Sequence, residues 1–202
     1  MEHLQIARNL DPLSLSVNSI YGLLLGELGL LDEAIQHLKD TMELAPFPVA
    51  HAILGHIYMG NGHINEAIKE YEKVFEIVPT SFYAGFLGHA YARAGRIEDS
   101  GDMLSVLIDR SGQGEHISPG AIGWIYLGLG NFDEGYVWLE KAVNQRDVFL
   151  TIYGMLSNKY LIAPFIEDDR FKALKSNAGL LPLKSSEKEW STSTNKLPVP
   201  AD

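Results

Sequence analysis

The sequence predicts an all-α protein built from consecutive pairs of helices. Three observations support this fold class: an internal repeat of 33 to 35 residues, a glycine at the same place in each repeat, and apolar residues at helical spacing. The glycines that mark the repeat are Gly29, Gly62, Gly95 and Gly130. Several columns that agree at one period indicate an array of similar units, because each unit of such an array occupies the same structural environment.

Each unit is predicted to contain a first helix, a tight turn and a second helix. The marking glycine falls where the first helix ends, at a position that requires a left-handed residue. An acidic pair such as Asp32-Glu33 then suits the positive end of the second helix, and Pro46 and Pro79 end two of the second helices. The four predicted units cover residues 13–46, 47–79, 80–112 and 113–147.

A second column of glycines lies inside the first helices, at Gly22, Gly55, Gly88 and Gly123. Glycine inside a helix costs about 1 kcal/mol relative to alanine, so four of them in register require a packing reason. We expect this reason to be a close crossing of the two helices of one unit, where a side chain would hold the helices apart.

The residues around these glycines resemble the tetratricopeptide repeat. The second unit carries the family's pattern as Leu54, Gly55, Tyr58, Gly62 and Ala67. The usual first-helix tryptophan is absent, and its place is taken by Asn18, His51, Ala84 and Pro119. The resemblance covers roughly residues 1–147. It implies a right-handed α–α superhelix, a tetratricopeptide solenoid of about four repeats whose first helices line a concave groove.

Both ends of the chain depart from the four units. Residues 1–12 match the second half of a second helix, and we interpret them as a partial repeat. This predicts that the chain is the C-terminal part of a longer array; a capping helix is the alternative. Residues 148–183 are predicted to form C-terminal capping helices, with Glu167-Asp168-Asp169 as a helix N-terminal cap. Residues 184–202, rich in Ser, Thr, Lys and Pro, are predicted to be a flexible tail.

The C-terminal part also resembles the ends of tetratricopeptide regions in bacterial regulatory and signalling proteins. The motif P-F-x-x-D-D-R-F-x-x-L, from Pro164 to Leu174, carries this likeness. Such regions commonly follow a winged-helix domain, a nucleotide cyclase or a Ser/Thr kinase domain. The resemblance therefore implies an appendage of a larger signalling or transcription protein.

Composition restricts the classes of partner. Sixteen Lys and Arg against 26 Asp and Glu give a formal net charge of −10, which argues against direct binding to nucleic acid. The absence of cysteine excludes disulfides, thiolate zinc sites and cysteine nucleophiles. The longest apolar stretch, residues 20–31, contains Glu27 and is too short to span a membrane. We expect a cytoplasmic protein that does not bind membranes.

No catalytic motif is present in the sequence, so we expect no enzymatic activity and no cofactor. The glycines follow the repeat and do not form a phosphate-binding loop. His56 and His89 occupy the same column of neighbouring repeats, but no third ligand accompanies them. We therefore interpret them as surface or groove histidines and predict no metal site.

The first helices fall in segments that contain no Asp, Glu, Lys or Arg: residues 13–26, 47–62, 80–92 and 116–132. A groove lined by them suits an apolar peptide better than a carboxylate, which family members clamp with Lys, Arg and Asn. The candidate groove residues are Leu23, Val49, His56, Met59, Phe82, His89, Arg93 and Trp124. Binding energy is expected to concentrate in aromatic anchors such as Trp124, and Trp124→Ala to weaken partner binding while leaving helicity intact.

Two functions remain open at this stage. The first is a protein-interaction scaffold that binds an apolar peptide or partner segment in the groove. The alternative is a regulatory or oligomerisation appendage of a larger bacterial protein, with possible self-association and with the groove occupied by its own tail. Trp190 and the apolar Leu197-Pro198-Val199 of residues 184–202 are the candidates for that occupancy.

Overall fold

The computed structural model describes residues 2–150, 159–162 and 164–179, and this part of the chain is helical without any strand. The helices are α1 (Glu2–Leu10), α2 (Leu15–Glu27), α3 (Leu31–Leu44), α4 (Pro48–Gly60), α5 (Ile64–Ile77), α6 (Ser81–Arg93), α7 (Ile97–Gly112), α8 (Pro119–Gly128), α9 (Phe132–Asn144), α10 (Lys159–Ile162) and α11 (Asp169–Asn177). A 3-10 turn, Val148–Leu150, follows α9. The predicted tail, residues 184–202, lies outside the described residues.

The helices pack as consecutive pairs: α2 with α3, α4 with α5, α6 with α7, and α8 with α9. First helices also stack on each other, α2 on α4 and α6 on α8, and each second helix contacts the first helix of the next pair. Neighbours in sequence are therefore neighbours in space throughout the array. This confirms the predicted all-α fold, an α–α solenoid.

The turn between the helices of each pair depends on the marking glycine. Gly29, Gly62, Gly95 and Gly130 have φ values of 78 to 81°. The residue after each glycine donates its backbone N–H to a carbonyl five residues earlier, as Leu30 does to Leu25 at 3.0 Å. The predicted left-handed helix ends are thus confirmed. The predicted stops are also confirmed, because α3 ends at Leu44 before Pro46 and α5 ends at Ile77 before Pro79.

The interior glycines make room for side chains of the neighbouring helix. A Cβ on Gly22 would lie 2.6 Å from Leu38, one on Gly55 would lie 2.5 Å from Tyr71, and one on Gly123 would lie 2.9 Å from Leu139. These three positions confirm the close crossing within a pair. Gly88 differs, since its nearest neighbour is Ile125 of the next first helix at 2.8 Å, with Met103 of its own pair at 3.4 Å. The reason is that α6 lies unusually close to α8.

The two ends of the array are held differently. At the N-terminal end α1 packs on α2, where the Arg8 guanidinium lies 4.0 Å from the centroid of the Tyr21 ring. At the C-terminal end α11 packs on α9, with Phe171 and Leu174 buried. The Asp168 side chain accepts a hydrogen bond from the Arg170 backbone N–H at 2.8 Å, which confirms the predicted N-terminal cap.

Candidate interaction groove

We call the face of the first helices that carries Leu23, His56, His89 and Trp124 the groove. These four residues share one column of the repeat, so they follow one another from α2 to α8. The described residues after Asp147, namely 148–150, 159–162 and 164–165, return to this face, and we call them the closing segment. Its buried side chains belong to the core cluster that also holds Tyr71, Phe86 and Trp124; they are Phe149, Leu150, Leu161, Ile162 and Phe165. The groove is therefore partly covered by the chain itself.

The closest approach in the groove is between α6 and α8. A Cβ on Gly85 would lie 2.8 Å from the Cα of Ala121, so only glycine permits this spacing of the two backbones. A Cβ on Gly120 would instead meet residues that follow α9, at 3.0 Å from the Phe149 ring, 3.1 Å from the Phe149 Cβ and 3.3 Å from the Asp147 carboxylate. Gly85 and Gly120 thus form a seat for the ring of Phe149.

Phe149 of the closing segment has no exposed surface. Its ring stacks on Phe86 at 4.7 Å between centroids and meets Phe82 edge-on at 5.4 Å. Such aromatic pairs contribute about 0.5–1.5 kcal/mol each beyond the burial of area. The seat therefore recognises an aromatic ring by shape and by ring contacts, without any charge.

Asp147 fixes the start of the closing segment. Its carboxylate accepts hydrogen bonds from the Ser118 hydroxyl at 2.7 Å, the Gly120 backbone N–H at 2.9 Å and the Phe149 backbone N–H at 3.0 Å. The first two donors lie at the N-terminal end of α8, where a negative charge is favoured by the helix dipole. One side chain thus joins the beginning of α8 to the 3-10 turn.

Trp124 lies on the groove floor and is 1% exposed. Its indole stacks on the His89 ring at 4.2 Å with an interplanar angle of 11°, and Phe165 of the closing segment meets it edge-on at 5.4 Å. His89 Nδ1–H donates to the Trp124 backbone carbonyl at 2.9 Å. Because the indole is a core side chain, we expect Trp124→Ala to lower the stability of the fold in addition to the predicted effect on binding.

His56 occupies the equivalent place one repeat earlier and is also buried, at 1% exposed. Its Nδ1 hydrogen-bonds to the Tyr71 hydroxyl at 2.7 Å, and its ring meets Phe86 at 4.5 Å. Burial lowers the pKa of His56 to about 3. Burial, with a further contribution from Arg93, lowers the pKa of His89 to about 4. Both imidazoles are therefore neutral in the folded protein at pH 7.

We expect the protein to lose stability in mild acid because of these two histidines. The unfolded chain binds protons at the ordinary histidine pKa of 6.5, whereas folded His56 and His89 do not. Stability is full above pH 6.5 and falls as the pH drops toward 4, by about 1.4 kcal/mol per pH unit for each histidine. Urea unfolding at pH 7.5, 6.0 and 5.0 measures this slope.

The matched variants for the acid effect are His89→Gln and His116→Gln, since His116 is exposed. The first is expected to reduce the pH slope, and the second to leave it unchanged. If stability fell equally steeply with pH in wild type and in His89→Gln, buried His89 would not contribute to the acid effect.

The second half of the closing segment covers the groove at α4. The helix α10 packs against α4, and Leu161 and Ile162 are buried. A cavity of about 180 Å³ remains at this junction, lined by Met59, Gly60, Gly62, Ile64, His89, Arg93, Leu161 and Pro164. Arg93 is exposed at its edge. The cavity therefore has an apolar wall and one cation.

The structure divides the eight predicted groove residues into two groups. His56, His89 and Trp124 are buried and form the floor. Leu23, Val49, Met59 and Phe82 are partly buried, and Arg93 is exposed. The structure brings Met59, His89 and Arg93 together around one cavity, while Leu23 and Val49 belong to the separate core cluster of the first two pairs.

Sequence reasoning missed the seat and its occupant. Gly85 and Gly120 are 35 residues apart, in a column that holds Ser19 and Ala52 in the first two units, and this exchange to glycine was the available signal. The occupant also had a signal, because residues 148–165 contain a single charged side chain, Lys159. No signal in the sequence pointed to Asp147, because its role depends on contacts with Ser118 and Gly120.

Within residues 2–150, 159–162 and 164–179, no group of three or more His, Cys, Asp or Glu side chains is placed to hold a metal ion. In the same part of the chain, no helix combines the length and apolar character needed to cross a membrane.

The fold and the groove define a helical-repeat protein of the α–α solenoid class. Residues 49–80 and 120–146 match the family model described as tetratricopeptide repeat. The first match covers α4 and α5, and the second covers most of α8 and all of α9, so each corresponds to one helix pair. These two helix pairs are tetratricopeptide repeats by their match to the family model. Repeats of this family generally mediate contacts between proteins and act as non-catalytic scaffolds. A comparison with curated proteins finds no match.

Proposed function

We propose that this chain is a cytoplasmic, non-catalytic interaction module whose groove binds an apolar segment of a protein partner. The observation that carries the proposal is the seat between α6 and α8, where two glycines and two phenylalanines surround the ring of Phe149. A surface that buries an aromatic ring by ring contacts, while a carboxylate binds the adjacent backbone N–H, has the properties of a peptide-binding groove.

The charge distribution supports an apolar partner. The described first helices carry few charges on the groove side, with Arg93 at the edge of the cavity. The chain as a whole has a net charge of −10. A groove of this kind offers little to a phosphate backbone and favours uncharged side chains. In this proposal His89 and Trp124 support the floor, and Met59 and Phe82 make contact with the partner.

Selection of peptides from a random 20-residue display library tests the proposal. We expect selected binders to be poor in charge, and to lose at least tenfold in affinity for Met59→Glu, because this change places a carboxylate in the apolar wall. The matched control is Val137→Glu on the second helix α9, where the side chain is 62% exposed. Equal binding to the two variants would exclude the groove as the binding surface.

A regulatory appendage with a self-occupied groove is the second candidate function. The observation that favours it is the coverage of the groove by Phe149, Leu161 and Phe165 of the same chain. The tail first considered for this role, residues 184–202, lies outside the described residues. Self-occupancy in this candidate is therefore assigned to the closing segment.

A further inference from the structure

The groove and the closing segment fit each other in a way that the repeat does not require. The three atoms nearest to a Cβ at Gly120 all belong to Asp147 and Phe149, so its closest contacts come from residues after α9. The first two units indeed carry Ser19 and Ala52 in this column. Glycine occurs only in the two units that receive Phe149. At Gly120 the absence of a side chain therefore suits the aromatic occupant, whereas Gly85 also permits the close approach of α6 and α8.

The turn that joins Phe149 to helix α9 contains a residue in an unfavourable backbone conformation. Helix α9 ends at Asn144, and Arg146 follows with a φ of 54°, in the left-handed region that favours glycine. The Arg146 backbone N–H donates to the Val143 carbonyl at 3.0 Å, so this residue holds the place that glycine holds in the other turns. The Asp147 backbone N–H donates to the Ala142 carbonyl at 2.9 Å, which completes the turn.

We propose that the closing segment is an internal ligand of the groove, which a partner segment of the same chemistry must displace. This inference rests on the function proposed above and names its partner class: an uncharged segment that presents a phenylalanine followed by an aliphatic residue, as Phe149-Leu150 does. Phe149, Leu150 and Phe165 are each at most 6% exposed, so release without a replacement exposes a large apolar area. Exchange with a similar segment preserves that burial.

Competition of this kind lowers the apparent affinity of the groove for any outside peptide. The outside peptide binds only to the fraction of molecules whose closing segment is released. Weakening the internal contact therefore strengthens binding from outside. A merely structural closing segment would have the opposite effect, because its loss would disorder the groove.

The probe for this test is a fluorescein-labelled synthetic peptide with the sequence of residues 146–169. Its affinity is measured by fluorescence anisotropy for the full chain and for Phe149→Ala, which empties the seat but leaves the groove residues unchanged. We expect at least tenfold tighter binding to Phe149→Ala than to wild type. The control is Val148→Ala in the same turn, whose side chain is 58% exposed, and wild-type affinity is expected for it.

Two additional variants define the seat. In a second peptide, alanine replaces the residue that corresponds to Phe149. This peptide is expected to bind the Phe149→Ala protein at least tenfold more weakly than the original peptide does. In the double variant Gly120→Ala with Phe149→Ala, the added methyl group narrows the seat, and tight binding of the original peptide is expected to be lost. Gly101→Ala is the matched glycine control, since a Cβ there meets no atom within 4 Å.

Each result separates this inference from the proposed function. Equal affinity of the peptide for wild type and Phe149→Ala overturns the internal ligand and leaves the groove as a peptide site. Absence of binding to either protein overturns the internal ligand as well as the seat as a site for apolar segments. Should Phe149→Ala fail to fold, amide exchange in the ¹⁵N-labelled wild-type chain replaces it. Excess unlabelled peptide must then accelerate exchange at Leu150 and Leu161, and unchanged exchange overturns the inference.

Discussion

Replacement of Trp124 by alanine is expected to lower the free energy of unfolding by about 3–5 kcal/mol. The indole is 1% exposed, and it lies between the His89 ring at 4.2 Å and the Phe165 ring at 5.4 Å. Truncation removes both ring contacts and leaves a cavity where the groove floor meets the closing segment. Urea unfolding followed by circular dichroism measures the loss.

Trp138 on α9 provides the matched control, because it is partly exposed and its ring carries Lys141 at 4.4 Å. Trp138→Ala is expected to cost about 1 kcal/mol. The loss in the free energy of unfolding for Trp124→Phe is expected to lie between the losses for the two alanine variants. Trp124 Nε1 has no hydrogen-bond partner among the described residues, so this change removes side-chain volume and no hydrogen bond. Equal losses for the two alanine variants would contradict the assignment of Trp124 to the core.

Asp147→Ala is expected to lower the free energy of unfolding by about 3 kcal/mol, because hydrogen bonds to a charged group contribute about 1.5–3 kcal/mol each. The change leaves the Ser118 hydroxyl, the Gly120 N–H and the Phe149 N–H without their common acceptor. We also expect faster amide exchange at Phe149 and Leu150, as the 3-10 turn loses its anchor. Urea unfolding and hydrogen exchange measure these two effects.

The control for Asp147 is Asp109→Ala, which removes an exposed carboxylate from α7. Its stability is expected to stay within about 0.5 kcal/mol of wild type. Asp147→Asn keeps the size of the side chain but retains only one acceptor oxygen, so an intermediate loss is expected. If Asp147→Ala and Asp109→Ala behaved alike, the carboxylate would have no anchoring role.

Local chemistry made most of the array predictable. A left-handed glycine after each first helix and a proline after two of the second helices are requirements of single turns, and they recur with the period of the repeat. The crossing at Gly22, Gly55 and Gly123 was predictable for the same reason. Gly88 was assigned to the wrong neighbour, because its environment depends on how closely α6 approaches α8, and Gly85 sets that distance.

The groove was predictable only as a face of the helices. The sequence placed Trp124, His89 and Met59 on that face, and the structure shows the first two buried there. Their exposure depends on what covers them. The cover comes from Leu161 and Phe165, which are too far along the chain for any repeat pattern to connect to the floor.

The sequence by itself determined the helix pairs, their turns and the α–α stacking, because each of these follows from contacts between residues that are close in the chain. Only the tertiary structure decided that the groove holds the chain's own closing segment. That outcome depends on the shape of the seat at Gly85 and Gly120 and on the carboxylate of Asp147. Shape complementarity between distant segments has no period, and it exists only once the array has formed.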